Sequence, residues 1–170
     1  MFRDVLVPTD GSAHAQRALE EAIDLVRLSG GSLTLATVVP DISGWFPVRS
    51  GGTPPPVNPA AGVPLPDDLD RVREDLRQQY RERLEQVQCT VPDDVESTAV
   101  LLKGRPADAI VRQVCVGGHD LVMMGSRGHA EVRALVLGST SHRVLHDSPV
   151  PVLIIQVRER EQRPGRSAQS

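Results

Sequence analysis

The sequence predicts an α/β domain with a single flavodoxin-like (Rossmann-like) doubly wound fold, in which helices cover both faces of a five-stranded parallel sheet. Short aliphatic runs alternate five times with segments of helical periodicity, and right-handed crossovers wind such a chain into one parallel sheet. Aromatic residues are only 2% of the 170 residues. The core must therefore be aliphatic, as buried parallel sheets usually are. A flavodoxin-like strand order is one of the two common solutions.

The first part of the chain predicts a strand, a turn, a helix and a second strand. Residues 4–8 are an aliphatic run stopped by turn-forming residues, of which Ser12 can cap a helix. From Ala15 onward the apolar residues recur every three or four positions until Gly30, which favours the end of that helix. Residues 32–39 are rich in β-branched side chains and predict the second strand.

Residues 41–66 are expected to be a Pro/Gly-rich loop insertion, because no regular element tolerates such a density of proline and glycine. Two interpretations stay open, a mobile lid over a site and a disordered insertion. A third apolar stripe starting at Asp67 predicts a helix whose Arg- and Glu-rich face is solvated.

The second part predicts three more strands and two more helices. Residues 96–102 are the third strand, and Pro106 suits the first turn of the helix that follows. Residues 120–124 form the fourth strand, which ends at Gly125, and residues 150–157 form the fifth. Residues 1–157 make up the predicted domain, with 158–170 as a flexible tail.

The glycine-bearing loop after the fourth strand is the segment expected to carry function, because ligands of doubly wound sheets bind beyond the carboxyl ends of the strands. A glycine inside one continuous helix would cost about 1 kcal/mol, so a helix break at Gly138 is favoured. A new helix there would present free N–H donors to an anion, with residues of capping type at Ser139, Thr140 and Ser141. Gly125 and Gly128 would let the backbone approach a ligand, and Arg127 could add positive charge.

Four segments resemble the universal stress protein family, in its ATP-binding branch. They are Val7-Pro8-Thr9-Asp10-Gly11-Ser12, Gly104-Arg105-Pro106-Ala107, the spaced glycines from Gly125 to Ser139, and Ser148-Pro149-Val150-Pro151-Val152. The resemblance covers residues 1–157. The proline-rich stretch after the second strand is longer than the family pattern.

The resemblance implies an ATP site, with Mg or Mn accompanying the nucleotide. Residues implied at the base and ribose end are Pro8, Thr9, Asp10, Val38 and Val39. Those implied beside the ribose and phosphates are Met124, Gly125, Arg127 and Gly128. Those implied to hold the phosphate tail are Gly138, Ser139 and Thr140. The family also implies a homodimer through the fifth strand, and an unidentified protein partner is compatible with a regulatory role.

Other functional classes are disfavoured by charge and motif. A net charge of -3 provides no broad positive field for nucleic acid or a membrane surface. The start of the chain lacks an apolar signal-peptide core, which favours a cytoplasmic protein. The sequence contains no G-x-x-x-x-G-K-[ST] and no G-x-G-x-x-G after the first strand, which disfavours P-loop hydrolases and dinucleotide dehydrogenases.

No catalytic residue or metal ligand is assigned. The two cysteines have no C-x-x-C spacing, and the histidines are scattered, with only His142 and His146 one helical turn apart. The expected function is an ATP-binding regulatory or stress-response module with at most slow ATP hydrolysis. The alternatives are a slow ATPase of the same family and a nucleotide-free protein-interaction module of the same fold.

Overall fold

Five parallel strands form one sheet in the computed structural model, which describes residues 2–41, 66–126 and 137–157. The strands are β1 Asp4–Pro8, β2 Ser32–Val39, β3 Ser97–Lys103, β4 Leu121–Gly125 and β5 Val152–Ile155. The helices are α1 Ala13–Ser29, α2 Pro66–Gln88, α3 Pro106–Gly117 and α4 Ser139–Asp147. The predicted fold class is confirmed. Nearly all of the expected loop insertion 41–66, and all of the tail 158–170, lie outside the described residues.

The strand order is β3-β2-β1-β4-β5, with all four neighbouring pairs parallel. This is the start of the Rossmann order 3-2-1-4-5-6, whereas a flavodoxin-like order would be 2-1-3-4-5. Of the two arrangements considered, the Rossmann order is the one adopted. The chain moves outward from β1 to β3 and then returns to the other side of β1, so the order reverses between β1 and β4.

Alternating side chains of the central strands divide the core into two layers. Val5 and Val7 of β1 pack with α1 and α2 on one face, whereas Leu6 packs with α3 and α4 on the other. The same alternation holds in β4, where Met123 belongs to the first layer and Met124 to the second. Helices therefore cover both faces of the sheet, as predicted.

Helix α1 has the termini that its sequence indicates. The Ser12 hydroxyl accepts a hydrogen bond from the Ala15 amide at 3.3 Å, which satisfies one of the free donors of the first turn. Gly30 ends the helix with φ 63°, a left-handed conformation that glycine adopts without a steric penalty.

Strand β5 is shorter than the predicted 150–157 at both ends, and a local turn accounts for its later start. The Ser148 hydroxyl donates to the Val150 carbonyl at 2.9 Å and accepts from the Val150 amide at 3.3 Å. Val150 is thereby held by Ser148, and the regular strand begins at Val152. Strand β3 is displaced by one residue from its predicted bounds, which is within the usual uncertainty of element ends.

In the part of the chain that the structure describes, no helix combines the length and the apolar composition that a bilayer span requires.

His119 is a buried polar residue just before β4. Its ring nitrogen Nε2 lies 3.4 Å from the side-chain amide nitrogen of Gln113. Burial lowers the pKa of His119, because a charged imidazolium loses its hydration there, while the nearby carboxylates of Asp4 and Asp120 oppose the shift.

We expect stability to fall with acidification because of His119. Below the ordinary histidine pKa of about 6.5 the unfolded chain takes up a proton that the folded chain accepts only at lower pH, so the folded state loses stability as the pH drops. Urea unfolding between pH 7.5 and 5.5 measures this slope. His119→Gln should flatten it, whereas His142→Gln, at an exposed position on α4, should not.

Candidate functional site

A cavity of about 880 Å³ opens beyond the carboxyl ends of β1, β2 and β4, where the strand order reverses. Its described lining comes from the loop after β1, the first turn of α1, the end of β2, the second half of α2, the start of α3, the end of β4 and the first turn of α4. Its volume lies within the range of about 300–1,000 Å³ that is typical of small-molecule sites.

The loop after β1 is clamped to β2. The Thr9 amide donates to the Ala36 carbonyl at 2.8 Å, and the buried Thr37 hydroxyl donates to the Thr9 carbonyl at 2.9 Å. Gly11 then turns the chain with φ 83°, a conformation that favours glycine. The Asp10 carboxylate accepts the Ser12 amide at 2.9 Å, which fixes this carboxylate beside the start of α1.

Helix α4 points its N-terminus at the cavity. Gly138 is the N-cap residue, with extended backbone angles of φ -67° and ψ 155°, so the predicted helix break at Gly138 is confirmed. The first helical hydrogen bond runs from the His142 amide to the Gly138 carbonyl at 2.9 Å. The amides of the three preceding residues therefore have no helical acceptor and can donate to an anion.

Two hydrogen bonds hold the start of α4 against the end of β4. The Gly138 amide donates to the Ser126 carbonyl at 2.7 Å, and the buried Ser141 hydroxyl donates to the Gly125 carbonyl at 2.9 Å. The expected use of serine side chains as helix caps is not what the structure shows. The N-cap residue has no side-chain capping bond, and the Ser141 hydroxyl instead joins the helix to the sheet.

Gly125 is required for packing between protein elements, although it also lines the cavity. A Cβ atom at this position would lie 2.7 Å from the carbonyl carbon of His14 and 2.9 Å from the Ala15 nitrogen. Close approach of a ligand to Gly125 stays a prediction. The first turn of α1 by itself already excludes a side chain at this position.

The cavity walls between the loop after β1 and the start of α4 are apolar. Ala36 and Val38 contribute from β2, Met124 from β4, and Pro106 and Ile110 from α3. Apolar walls with a few convergent polar groups are the usual surroundings of a ring-bearing small molecule.

Nine of the twelve predicted site residues line this cavity: Pro8, Thr9, Asp10, Val38, Met124, Gly125, Gly138, Ser139 and Thr140. Val39 does not line it, because it is buried in β2, where its carbonyl accepts the Gly104 amide at 3.3 Å. Arg127 and Gly128 lie outside the described residues.

The α2 wall of the cavity was not predicted. It consists of Tyr80, Arg83, Gln86 and Val87, and Thr90 adds to it just after the helix ends at Gln88. The charge run of this helix predicts a solvated face, and Arg83 is exposed accordingly, while its guanidinium also lies over the Tyr80 ring, 5.9 Å from the ring centroid. Tyr80 is the chain's single tyrosine. Its rarity in a chain so poor in aromatic residues is the sequence feature that could have indicated a role for this helix.

Charged and metal-binding groups are sparse among the residues of the site that the structure describes. Among the described lining residues, the ionised side chains are the Asp10 carboxylate and the Arg83 guanidinium. The described residues contain no group of three or more His, Cys, Asp or Glu side chains that could hold a metal ion.

Known proteins show similarity along nearly the whole chain. The model of the Universal stress protein family matches residues 1–44 and 53–156. A universal stress protein of Thermus aquaticus, encoded in the QAH/OAS sulfhydrylase 3' region, is 31% identical over 160 residues, which are 92% of this chain and 100% of the relative.

Solved structures share the fold. The hypothetical protein MJ0577 superposes with a TM-score of 0.71 at 21% identity, covering 94% of this chain and 99% of that one. A universal stress protein in complex with cAMP gives 0.53 at 24% identity, with coverage of 91% and 97%. The universal stress protein from Archaeoglobus fulgidus in complex with dAMP gives 0.55 at 20% identity, with coverage of 91% and 98%.

We expect Gly125→Ala to destabilise the protein through its contact with α1. The new methyl group would overlap the backbone of His14 and Ala15, and overpacking of this kind costs about 1–3 kcal/mol. Urea unfolding followed by circular dichroism measures the change. An unchanged midpoint would show that α1 can move away from β4 without loss.

Proposed function

The chain belongs to the universal stress protein family, and from that premise we propose that it is a regulatory stress-response module that binds an adenine nucleotide, specifically ATP. The observation that carries the proposal is the N-terminus of α4, which opens into an otherwise apolar cavity at the point where the strand order reverses. This arrangement supports a ligand with an anionic end and an apolar ring.

The phosphate end of the ligand is assigned to α4. The amides of Ser139, Thr140 and Ser141 converge there without helical acceptors, and the helix dipole adds positive potential. Both effects favour an anion over a neutral group. Arg127 and Gly128 are proposed as further ribose and phosphate contacts on the strength of the family resemblance.

The base and ribose are assigned to the opposite part of the cavity. Val38 and Met124 would contact the base from two strands, and Pro8 and Thr9 would form the floor between them. The Asp10 carboxylate can accept hydrogen bonds from ribose hydroxyls, since its position is fixed by the Ser12 amide.

The choice of adenine is supported by the two similar universal stress proteins that were solved with cAMP and with dAMP. That the bound nucleotide is a triphosphate follows from the resemblance to the ATP-binding branch. Mg²⁺ or Mn²⁺ would accompany the nucleotide and bind its phosphate oxygens, as Mg²⁺ commonly does in nucleotide sites.

Binding without efficient hydrolysis fits the chemistry of the site. The only lysine of the chain, Lys103, lies on the exposed edge strand β3, so no lysine of the Walker type is available to the phosphates. Asp10 is the single carboxylate among the described lining residues, and it is already engaged with the Ser12 amide. We therefore assign no catalytic residue.

The phosphate site is tested by two substitutions at the start of α4. Gly138→Glu would place a carboxylate beside the phosphates and fill part of their space, so ATP affinity should fall more than tenfold, or about 1.4 kcal/mol. Ser139→Ala should have a smaller effect, because it removes one hydroxyl and leaves the amide donors in place. Titration calorimetry with ATP measures both, and the parent protein should bind with a Kd of micromolar order.

Two controls separate binding from folding. The φ of -67° at Gly138 is open to any residue, and a carboxylate near a helix N-terminus favours the helix, so circular dichroism should show a native fold for Gly138→Glu. No heat from the parent protein at millimolar ATP would refute the nucleotide proposal. Parental affinity in a folded Gly138→Glu would instead refute the placement of the phosphates.

We also propose a homodimer that pairs β5 with its two-fold mate. Strand β5 is an edge of the sheet in the described part of the chain, and its Leu153 side chain is 46% exposed. An unpaired apolar edge favours association with another strand.

The dimer is tested by placing a charge on this edge. Leu153→Lys should convert the dimer to a monomer, because each copy would bring a positive charge into the proposed interface and lysine opposes edge pairing. Leu28→Lys is the matched control, since Leu28 is 79% exposed on α1. Sedimentation velocity gives the masses, and a concentration-independent monomer for the parent protein would exclude the interface.

A further inference from the structure

We propose that Tyr80 and Arg83 of α2 form the wall against which the nucleobase stacks. These two residues would then determine the affinity for the base, whereas α4 binds the phosphates. The inference rests on the nucleotide site proposed above. The proposed binding surface lies on α2, a helix that contains neither the spaced glycines nor the turn after β1.

The sheet order places α2 and α4 on opposite sides of the cavity. Helix α2 packs against β2 and β3, whereas α4 packs against α3 and β5. Because β2 and β3 lie on one side of β1, and β4 and β5 on the other, the two helices flank the switch point. A ligand with its phosphates at α4 therefore extends its other end toward β2 and α2.

The same cavity reaches both helices. Its described lining includes Ser139 and Thr140 at one end and Tyr80 and Arg83 at the other. Val38, at the end of β2, belongs to the lining between them. A nucleotide can thus span from the amides of α4 to the ring of Tyr80 without leaving the cavity.

The Tyr80 ring is held by its neighbour on the helix. Arg83 lies one turn further along α2, and its guanidinium carbon is 5.9 Å from the ring centroid, within reach of a cation–π interaction. The guanidinium covers one face of the ring and thereby favours one ring orientation, which leaves the opposite face for a flat base. Tyr80 is half-buried, so part of the ring stays available to the cavity.

Other arginines on α2 have a different environment. Arg73 pairs with Asp70 and Arg77 pairs with Glu74, both through (i, i+3) ion pairs between exposed side chains. For Arg83 the contact found among the described residues is the Tyr80 ring. Arg83 is itself exposed, and its contact with the Tyr80 ring and its place in the cavity lining distinguish it from these arginines.

The test measures ATP affinity by titration calorimetry in Tyr80→Ala, Tyr80→Phe and Arg83→Ala. Loss of one stacking ring lowers affinity for a base by about fivefold to a hundredfold. Tyr80→Ala should therefore bind ATP at least fivefold more weakly, and Tyr80→Phe should keep the parental affinity because it keeps the ring. Arg83→Ala should have a smaller effect than Tyr80→Ala, since it removes the group that orients the ring.

Inorganic triphosphate, used as a competitor of ATP, reports on the phosphate end alone. Its affinity should not change in Tyr80→Ala. The matched control is Arg81→Ala, an exposed arginine of α2 outside the described lining, which should bind ATP as the parent does. Circular dichroism verifies the fold of each variant.

Two results would overturn the inference: parental ATP affinity in Tyr80→Ala, or an equal loss of affinity for ATP and for inorganic triphosphate in that variant. In either case ATP binding by the parent protein would still support the proposed function. A parent protein that binds neither ATP nor triphosphate would refute the proposed function itself.

Discussion

The burial of β1 on every side is the constraint from which the rest of the molecule follows. Residues 5–9 are all buried, and the strand is bonded to β2 along one edge and to β4 along the other. The crossover from β1 leads to β2 on one side, and the later crossover from β3 places β4 on the other side of β1. The carboxyl end of β1 is therefore left uncovered by any crossover, and the cavity forms there.

Local features of the fold could be read from the sequence because they depend on neighbouring residues. The bounds of β2, the caps of α1 and the break at Gly138 follow from side-chain pattern, the Ser12 hydroxyl and the properties of glycine. Strand order could not be derived in this way. The strands are similarly aliphatic, and both common orders satisfy the same crossover rule, so only tertiary packing distinguishes them.

The candidate site was predictable where it depends on the ends of parallel strands, since these ends meet at one edge of the sheet. It was not predictable where it depends on contacts between distant segments. The role of Gly125 requires knowledge that the first turn of α1 lies against it. The α2 wall depends on how a helix that follows a long proline-rich segment packs on the sheet, and periodicity gives only the buried stripe of such a helix.

The bonds from Gly138 to Ser126 and from Ser141 to Gly125 have an entropic consequence. They fix the first turn of α4 to the rigid end of a central strand, so the amide dipoles hold their directions before an anion arrives. A loop of similar composition would have to be ordered during association, at a cost of about 1–2 kcal/mol for each residue immobilised. In this protein that ordering is completed when the chain folds, and an incoming anion meets a preorganised set of donors.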